Sequence, residues 1–257
     1  MSEARAAAGR VRAVDRSLDV LELLATTRRP YALSEVAREL EVPKSTMLGI
    51  LRTMESRGWL VEAGGAFALG PRSLVLGTAY ADTDFVASRA GVLLDQVLAS
   101  IGETVHLACL DGADVLYLAK RESTHPLRMF SAIGRRLPAH ATALGKAMLA
   151  TLSDEAIDEL LPRPLPRLTD ATLVEREDLF VDLRQTRSQG YAIDRGENAD
   201  GIECWAVALD VDAAVPYAVS VSIPTLRIDA DLPDRVVQVL RAVQADAVRL
   251  GRRDSTA

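Results

Sequence analysis

The feature that most constrains this chain is a pair of short amphipathic helical segments that almost touch in sequence. Leu33, Val36, Ala37 and Leu40 recur at helical spacing behind Ser34, a good N-cap, and Met47, Ile50, Leu51 and Met54 repeat the pattern a few residues later. Between them lies Glu41-Val42-Pro43. Proline is favoured at a first helical position, so Pro43 is expected to start the second helix within about three residues of the first. That helix would keep Lys44, Ser45, Leu48, Arg52 and Glu55 on its outer face, with Thr46 on the border. A further helix is expected over 14–25, with Val14, Leu18, Leu21 and Ala25 as its inward stripe. Trp59-Leu60-Val61-Glu62 and Phe67-Ala68-Leu69 flank Ala63-Gly64-Gly65-Ala66, which reads as strand, tight turn, strand. Residues 11–71 are thus expected to form a winged helix-turn-helix, preceded by a disordered tail over 1–10.

A connecting helix is expected over 72–85, then a larger domain over 86–251 and a tail over 252–257. In that domain a helix at 86–101 leads to a hairpin, Glu103–Leu110 and Val115–Ala119, turned at Asp111-Gly112. Helices at 141–151 and 175–189 follow, separated by a Pro162 to Pro166 loop, then strands at 204–209 and 217–223 and a helix at 232–250. The fold class is α+β around an antiparallel sheet.

Charge separates the two parts. The net charge of −6 argues against a polyanionic partner, yet up to Arg72 there are 11 Lys and Arg against 9 Asp and Glu, and beyond it 19 against 27. The head carries +2 and the remainder −8, so only the head suits phosphates. Aromatic residues, at 4%, are too sparse for base-stacking platforms. No apolar run approaches a membrane span or a signal peptide, which places the chain in the cytoplasm with no membrane partner. Cys109 and Cys204 fit neither a disulfide framework nor a zinc site, and His106, His125 and His140 show no paired metal-ligand spacing. No nucleophile elbow or complete phosphate loop exists; Leu144-Gly145-Lys146-Ala147 lacks the upstream glycine and the hydroxyl residue after the lysine. Neither an enzyme nor a cofactor is expected.

Two constellations carry chemistry. Lys44, Ser45, Thr46 and Arg52 gather donors on the outer helix, where phosphates and base edges would meet them; an ordinary solvated face is the alternative. Arg16 and the turn glycines Gly64 and Gly65 are secondary candidates. In the larger domain, alternation puts Cys204, Ala206 and Ala208 on one face of their strand and Ala218, Ser220 and Ser222 on one face of theirs. Trp205, Val207, Leu209, Val219, Val221 and Ile223 take the opposite faces. If the two strands pair with these faces together, a greasy face closes a core and a small face leaves room for a ligand among a thiol and two hydroxyls. The alternative is that small residues admit a closely packed helix. Ala139-His140-Ala141-Thr142 opens a helix whose free N–H groups make an anion site, which points to a carboxylate ligand.

These segments together resemble the IclR family of bacterial transcription regulators over nearly the whole chain. Leu33-Ser34-Glu35-Val36-Ala37, Val42-Pro43-Lys44-Ser45-Thr46 and Phe67-Ala68-Leu69-Gly70 resemble its winged helix-turn-helix. Gly102 to Ala108, Ile133 to Ala147, and Gly190-Tyr191-Ala192 through Asp194, Glu197, Gly201, Ile202 and Cys204 resemble its effector domain. Leu48 and Gly49 depart from the basic or hydrogen-bonding residues that members often carry there. The resemblance implies a homodimer or dimer of dimers that binds double-stranded operator DNA through its heads and a small metabolite through a GAF-like domain; with the carboxylate expected from the helix argument, the effector is a small organic acid, and repression is the expected outcome. It also implies effector contacts at Gly134, Asp194, Cys204, Ser220 and Ser222, beside His140, Ala141 and Thr142 from the helix argument. Asp194 could instead be a turn carboxylate, and Cys204 an inert buried thiol. A metabolite sensor acting through a protein partner is the rival reading.

Overall fold

The computed structural model describes residues 11–123, 125 and 132–250; the tails expected at 1–10 and 252–257 lie outside the described residues. The chain divides into two compact units, residues 1–81 and 82–257.

The first unit runs α1 (Arg12–Thr27), β1 (Tyr31–Ala32), α2 (Leu33–Glu39), α3 (Lys44–Ser56), β2 (Leu60–Ala63) and β3 (Ala66–Leu69). The strands form an antiparallel sheet in the order β1-β3-β2. Met47, Leu51 and Met54 of α3 pack with Val36 and Ala37 of α2, Val20 and Leu24 of α1, and Leu60 and Phe67 of the hairpin. Gly64 and Gly65 have φ of +60° and +80°, and Ala63 pairs with Ala66 around them. Two consecutive left-handed residues match the hairpin's turn to the twist of its strands, and only glycine adopts both without strain.

Three local expectations are corrected. The inward face of α1 is Val20 and Leu24, whereas Val14 and Leu18 are 54% and 51% exposed. This helix has apolar residues on more than one side, and periodicity alone does not choose which stripe meets the core. Ser34 is not a cap: α2 starts at Leu33, and Glu35 reaches back to accept the Ala32 N–H at 2.8 Å. Pro43 occupies the cap position, with Lys44 the first helical residue. A helix, α4 (Arg72–Thr83), follows with no buried residue.

The second unit begins with α5 (Phe85–Ile101), capped by Asp84, whose carboxylate accepts the Ala87 N–H. There follow β4 (Thr104–Asp111), β5 (Asp114–Arg121), β6 (Arg136–Pro138), a 3-10 turn (Ala139–Ala141), α6 (Ala143–Leu149) and α7 (Asp154–Leu160). Then come α8 (Arg176–Gln189), β7 (Ala192–Arg195), β8 (Ile202–Leu209), β9 (Tyr217–Pro224) and α9 (Leu232–Leu250). The six strands make one antiparallel sheet in the order β6-β5-β4-β9-β8-β7. The expected α+β class is borne out. Sequence pattern missed α7, β1, β6 and β7, all of them seven residues or shorter.

One face of the sheet is large and apolar. Trp205, Val207, Leu209, Val219, Val221 and Ile223 meet Ala90, Leu94 and Val97 of α5 and Val236, Leu240 and Val243 of α9. The other face is built from small residues: Ala108, Ala192, Ala206 and Ala218 pack against Ala143, Leu144, Ala147 and Met148 of α6. Gly145 shows how close α6 comes to the preceding turn, since a Cβ there would lie 2.1 Å from Ala139 O. At this end of the sheet the small residues do admit a helix.

Candidate DNA-binding and effector sites

On the head, Lys44, Ser45 and Thr46 stand exposed in the first turn of α3, beside Leu48, also exposed, and Gly49. Unsatisfied N–H groups and the positive end of the helix add to the lysine's attraction for phosphate. Arg52 is differently placed. Its Nη1 contacts Glu55 at 2.8 Å and Glu62 of β2 at 2.5 Å, and the guanidinium lies 5.8 Å from the Phe67 ring centroid. The side chain expected to contact DNA therefore bridges α3 to the wing. Gly64 and Gly65 project at the exposed wing tip with no heavy atom within 4 Å of where a Cβ would sit. Arg16 is half-buried on α1.

In the second unit the strand register realises the conditional pairing. Cys204 stands opposite Ser222, Ala206 opposite Ser220 and Ala208 opposite Ala218, so the small faces coincide. Asp194 is opposite Cys204 on the other side, and Thr104 is opposite Ser222, which makes one row Asp194–Cys204–Ser222–Thr104 across four strands. The next row is Ala192–Ala206–Ser220–His106. Asp194, Ser220, Ser222, Thr104 and His106 are all buried. The Cys204 Sγ–H donates to Ser222 Oγ at 3.1 Å. Edge-on to His106, with ring centroids 5.0 Å apart, lies Tyr117 of β5. Gly134 joins through the backbone: its N–H donates to Tyr117 O at 2.8 Å, and its φ is +78°.

Burial governs the electrostatics of this face. It raises the Asp194 carboxyl to about 7, helped by the negative charge of Glu197 and opposed by two backbone hydrogen bonds and Lys146. Burial and the neighbouring Asp194 push the Cys204 thiol up, which leaves it an unreactive hydrogen-bonding thiol at neutral pH. Burial also pushes the Tyr117 phenol up and holds His106 neutral, lowered to about 3. At neutral pH the face is therefore uncharged apart from the ionised fraction of Asp194, and rich in O–H and S–H donors. Asp194 is also a turn carboxylate, because its Oδ1 accepts the Glu197 N–H at 2.7 Å and the Asn198 N–H at 3.4 Å.

The helix start expected at Ala139–Thr142 is corrected. Ala139–Ala141 forms a 3-10 turn, and α6 begins only at Ala143 and has seven residues. Thr142 caps it, Oγ1 accepting the Gly145 N–H at 3.0 Å. His140 and Ala141 are buried, and His140 Nε2 is spent on Pro166 O at 3.0 Å. A helix this short, with its cap already filled, is not a ready anion site.

Sequence reading also missed Thr104, His106 and Tyr117, which come to the face through cross-strand partners, and Lys146, dismissed with an incomplete phosphate loop. The signal for the first two was the same alternation that marked Ser220 and Ser222. Among the described residues no group of three or more His, Cys, Asp or Glu could hold a metal ion, and no helix is long and apolar enough to cross a membrane.

A three-stranded winged helix-turn-helix joined in one chain to an α+β domain with a buried polar face defines a ligand-responsive DNA-binding regulator. The comparisons agree. The IclR helix-turn-helix domain matches residues 13–64, and the bacterial transcriptional regulator IclR C-terminal domain matches residues 78–249. The chain belongs to the IclR family of transcriptional regulators, which are not enzymes. It is 36% identical over 231 residues to the transcriptional repressor IclR of Escherichia coli (strain K12), covering 88% of this chain and 84% of that protein. It is 35% identical to the regulator BhcR of Paracoccus denitrificans, over 91% and 86% of the two chains. A crystal structure of an IclR-type regulator from Alicyclobacillus acidocaldarius superposes with a TM-score of 0.84 at 27% identity, covering 95% of this chain and all of that one.

Proposed function

We propose that this chain is a repressor whose hold on operator DNA is set by a small organic acid bound over the row Asp194–Cys204–Ser222 and beside Ser220 and Gly134. The observation that carries this is the row itself: a donor-rich strip of one sheet face whose single carboxyl, Asp194, burial keeps partly protonated near neutral pH. A carboxylate only accepts hydrogen bonds, so hydroxyls, a thiol and a protonated carboxyl complement it. Aliphatic oxo acids and aromatic acids both satisfy that chemistry. Repression is supported by the E. coli relative and by the acetate operon repressor of Salmonella typhimurium, 35% identical over 229 residues. Dimerisation is supported by apolar side chains held at the surface of the first unit, Val11, Val14 and Leu18 around α1 and Leu74 and Val75 on α4. Two heads would double the phosphate contacts and read paired half-sites.

An acid that prefers one subunit arrangement about 100-fold shifts operator affinity by roughly 2.7 kcal/mol, enough to switch a promoter. The test is a gel-shift titration of the full chain with its neighbouring intergenic DNA at low salt, repeated with each member of a panel of oxo and aromatic acids. Salt-sensitive binding that one acid class alters is expected. Acid binding without DNA affinity would favour a sensor acting through a protein partner, and absence of both sinks the reading.

A further inference from the structure

Lys146 has no exposure to solvent, although lysine is among the residue types least often fully buried without a partner. From α6 its Nζ lies 2.6 Å from Glu197 Oε1 and 3.2 Å from Asp182 Oδ2 on α8. Glu197, itself buried, follows β7 by two residues, and its backbone N–H is the group that holds Asp194 Oδ1. The main chain of the same turn is clamped from a third side: Thr172 Oγ1 donates to Glu197 O at 2.6 Å and Thr169 Oγ1 to Gly196 O at 2.7 Å. A buried ion pair adds little net stability, because desolvation offsets the attraction; what it supplies here is a fixed geometry.

We propose that Lys146 and Glu197 are positioning residues of the effector site: the buried Lys146–Glu197 pair, with the half-buried Asp182 beside it, locks the turn that presents the Asp194 carboxyl to the polar face of the sheet. The inference rests on the effector reading above. The groups facing that carboxyl are Glu197 on its own turn, Lys146 from α6, Cys204 from β8 and Tyr117 from β5, with Asp182 of α8 and His106 of β4 farther out. Glu197 disfavours ionisation of Asp194 and Lys146 favours it. Neutralising Glu197 therefore removes a like charge and leaves the lysine less compensated, and both changes act in one direction.

The experiment needs no ligand. Full-length protein labelled with 13C at the aspartate carboxyls is titrated by NMR, with the Asp194 resonance assigned from Asp194→Asn. The wild-type midpoint should lie near 7, and Glu197→Gln should lower it by about one pH unit. Lys146→Met is read by amide exchange: Glu197 and Asn198 should exchange faster by on the order of tenfold, while Gly145, held by Thr142 Oγ1, keeps its protection. A folded Glu197→Gln protein with an unmoved Asp194 midpoint, or unaltered exchange at Glu197 in Lys146→Met, overturns the proposal. Failure of every acid in the panel would instead overturn the effector reading, and leaves the titration result standing.

Discussion

Replacing Asp194 by Asn keeps an oxygen that accepts the Glu197 and Asn198 N–H groups and deletes the ionisable proton. Burial first, and the charge of Glu197 next, lift this carboxyl from its ordinary 3.8 to about 7. At 1.36 kcal/mol per pH unit, ionising it in the native fold costs about 4 kcal/mol, an upper figure because Glu197 shares the site. Between about pH 4 and pH 7 the native state keeps a proton that the unfolded chain has released. The contribution of Asp194 is thus fully present below about pH 4 and declines as the pH rises to about 7. The buried histidines carry the opposite sign: His106, held at about 3, and His140, also lowered by burial, weaken the fold as the pH drops below 6.5. Subtracting the Asp194→Asn profile from that of the wild type isolates the one carboxyl. Urea titrations read from Trp205 fluorescence in a Trp59→Phe background give that difference. The Asn variant should gain on the wild type progressively between about pH 4 and pH 7, by about 2–4 kcal/mol in all, and hold its lead above. Profiles that run parallel through this range would refute the claim that burial keeps Asp194 protonated.

Other predictions test the two sites separately. Lys44→Ala should weaken operator binding across sequences and reduce the slope of log affinity against log salt by about one, measured by fluorescence anisotropy. Arg52→Ala should leave that slope nearly unchanged, because its charge is already paired with Glu55 and Glu62; it should lower the melting temperature of the head slightly in a thermal melt. A slope that falls as far as for Lys44→Ala would place Arg52 on the DNA instead. Ser222→Leu should fill the polar face and abolish the response to the acid while operator affinity persists; loss of both would mean a packing role. An acid effector should bind more tightly at pH 6 than at pH 8 by isothermal titration, with net proton uptake at neutral pH, as Asp194 becomes a donor to its carboxylate.

Most of the fold was legible because its signals are local. Pro43 with two apolar stripes implies a helix-turn-helix, Gly64-Gly65 a tight hairpin, and strict alternation around Cys204 and Ser220 a sheet with one small face; each depends on residues a few positions apart. Short elements such as β7 and α7 carry too few repeats of any period to stand out, and α1 carried more than one apolar stripe. The same limit explains the helix misplaced at Ala139: a 3-10 turn and an α-helix share their first spacing, and only the close packing of Gly145 on Ala139 separates them.

The composition and the order of local motifs therefore decided the architecture, the basic head and the identity of the family. Tertiary structure decided which of these residues act together. Alternation says that Cys204 and Ser222 each face one side of a strand, but pairing energy sets these residues, 18 positions apart, opposite one another. Arg52 is outward on its helix by periodicity, yet the wing's Glu62 makes it a bridge. Lys146 reads as a polar residue in an apolar helix until Asp182 and Glu197, 36 and 51 positions away, surround it with carboxylates. Charge compensation in a dry interior is a property of the folded neighbourhood, and no window of the sequence contains it.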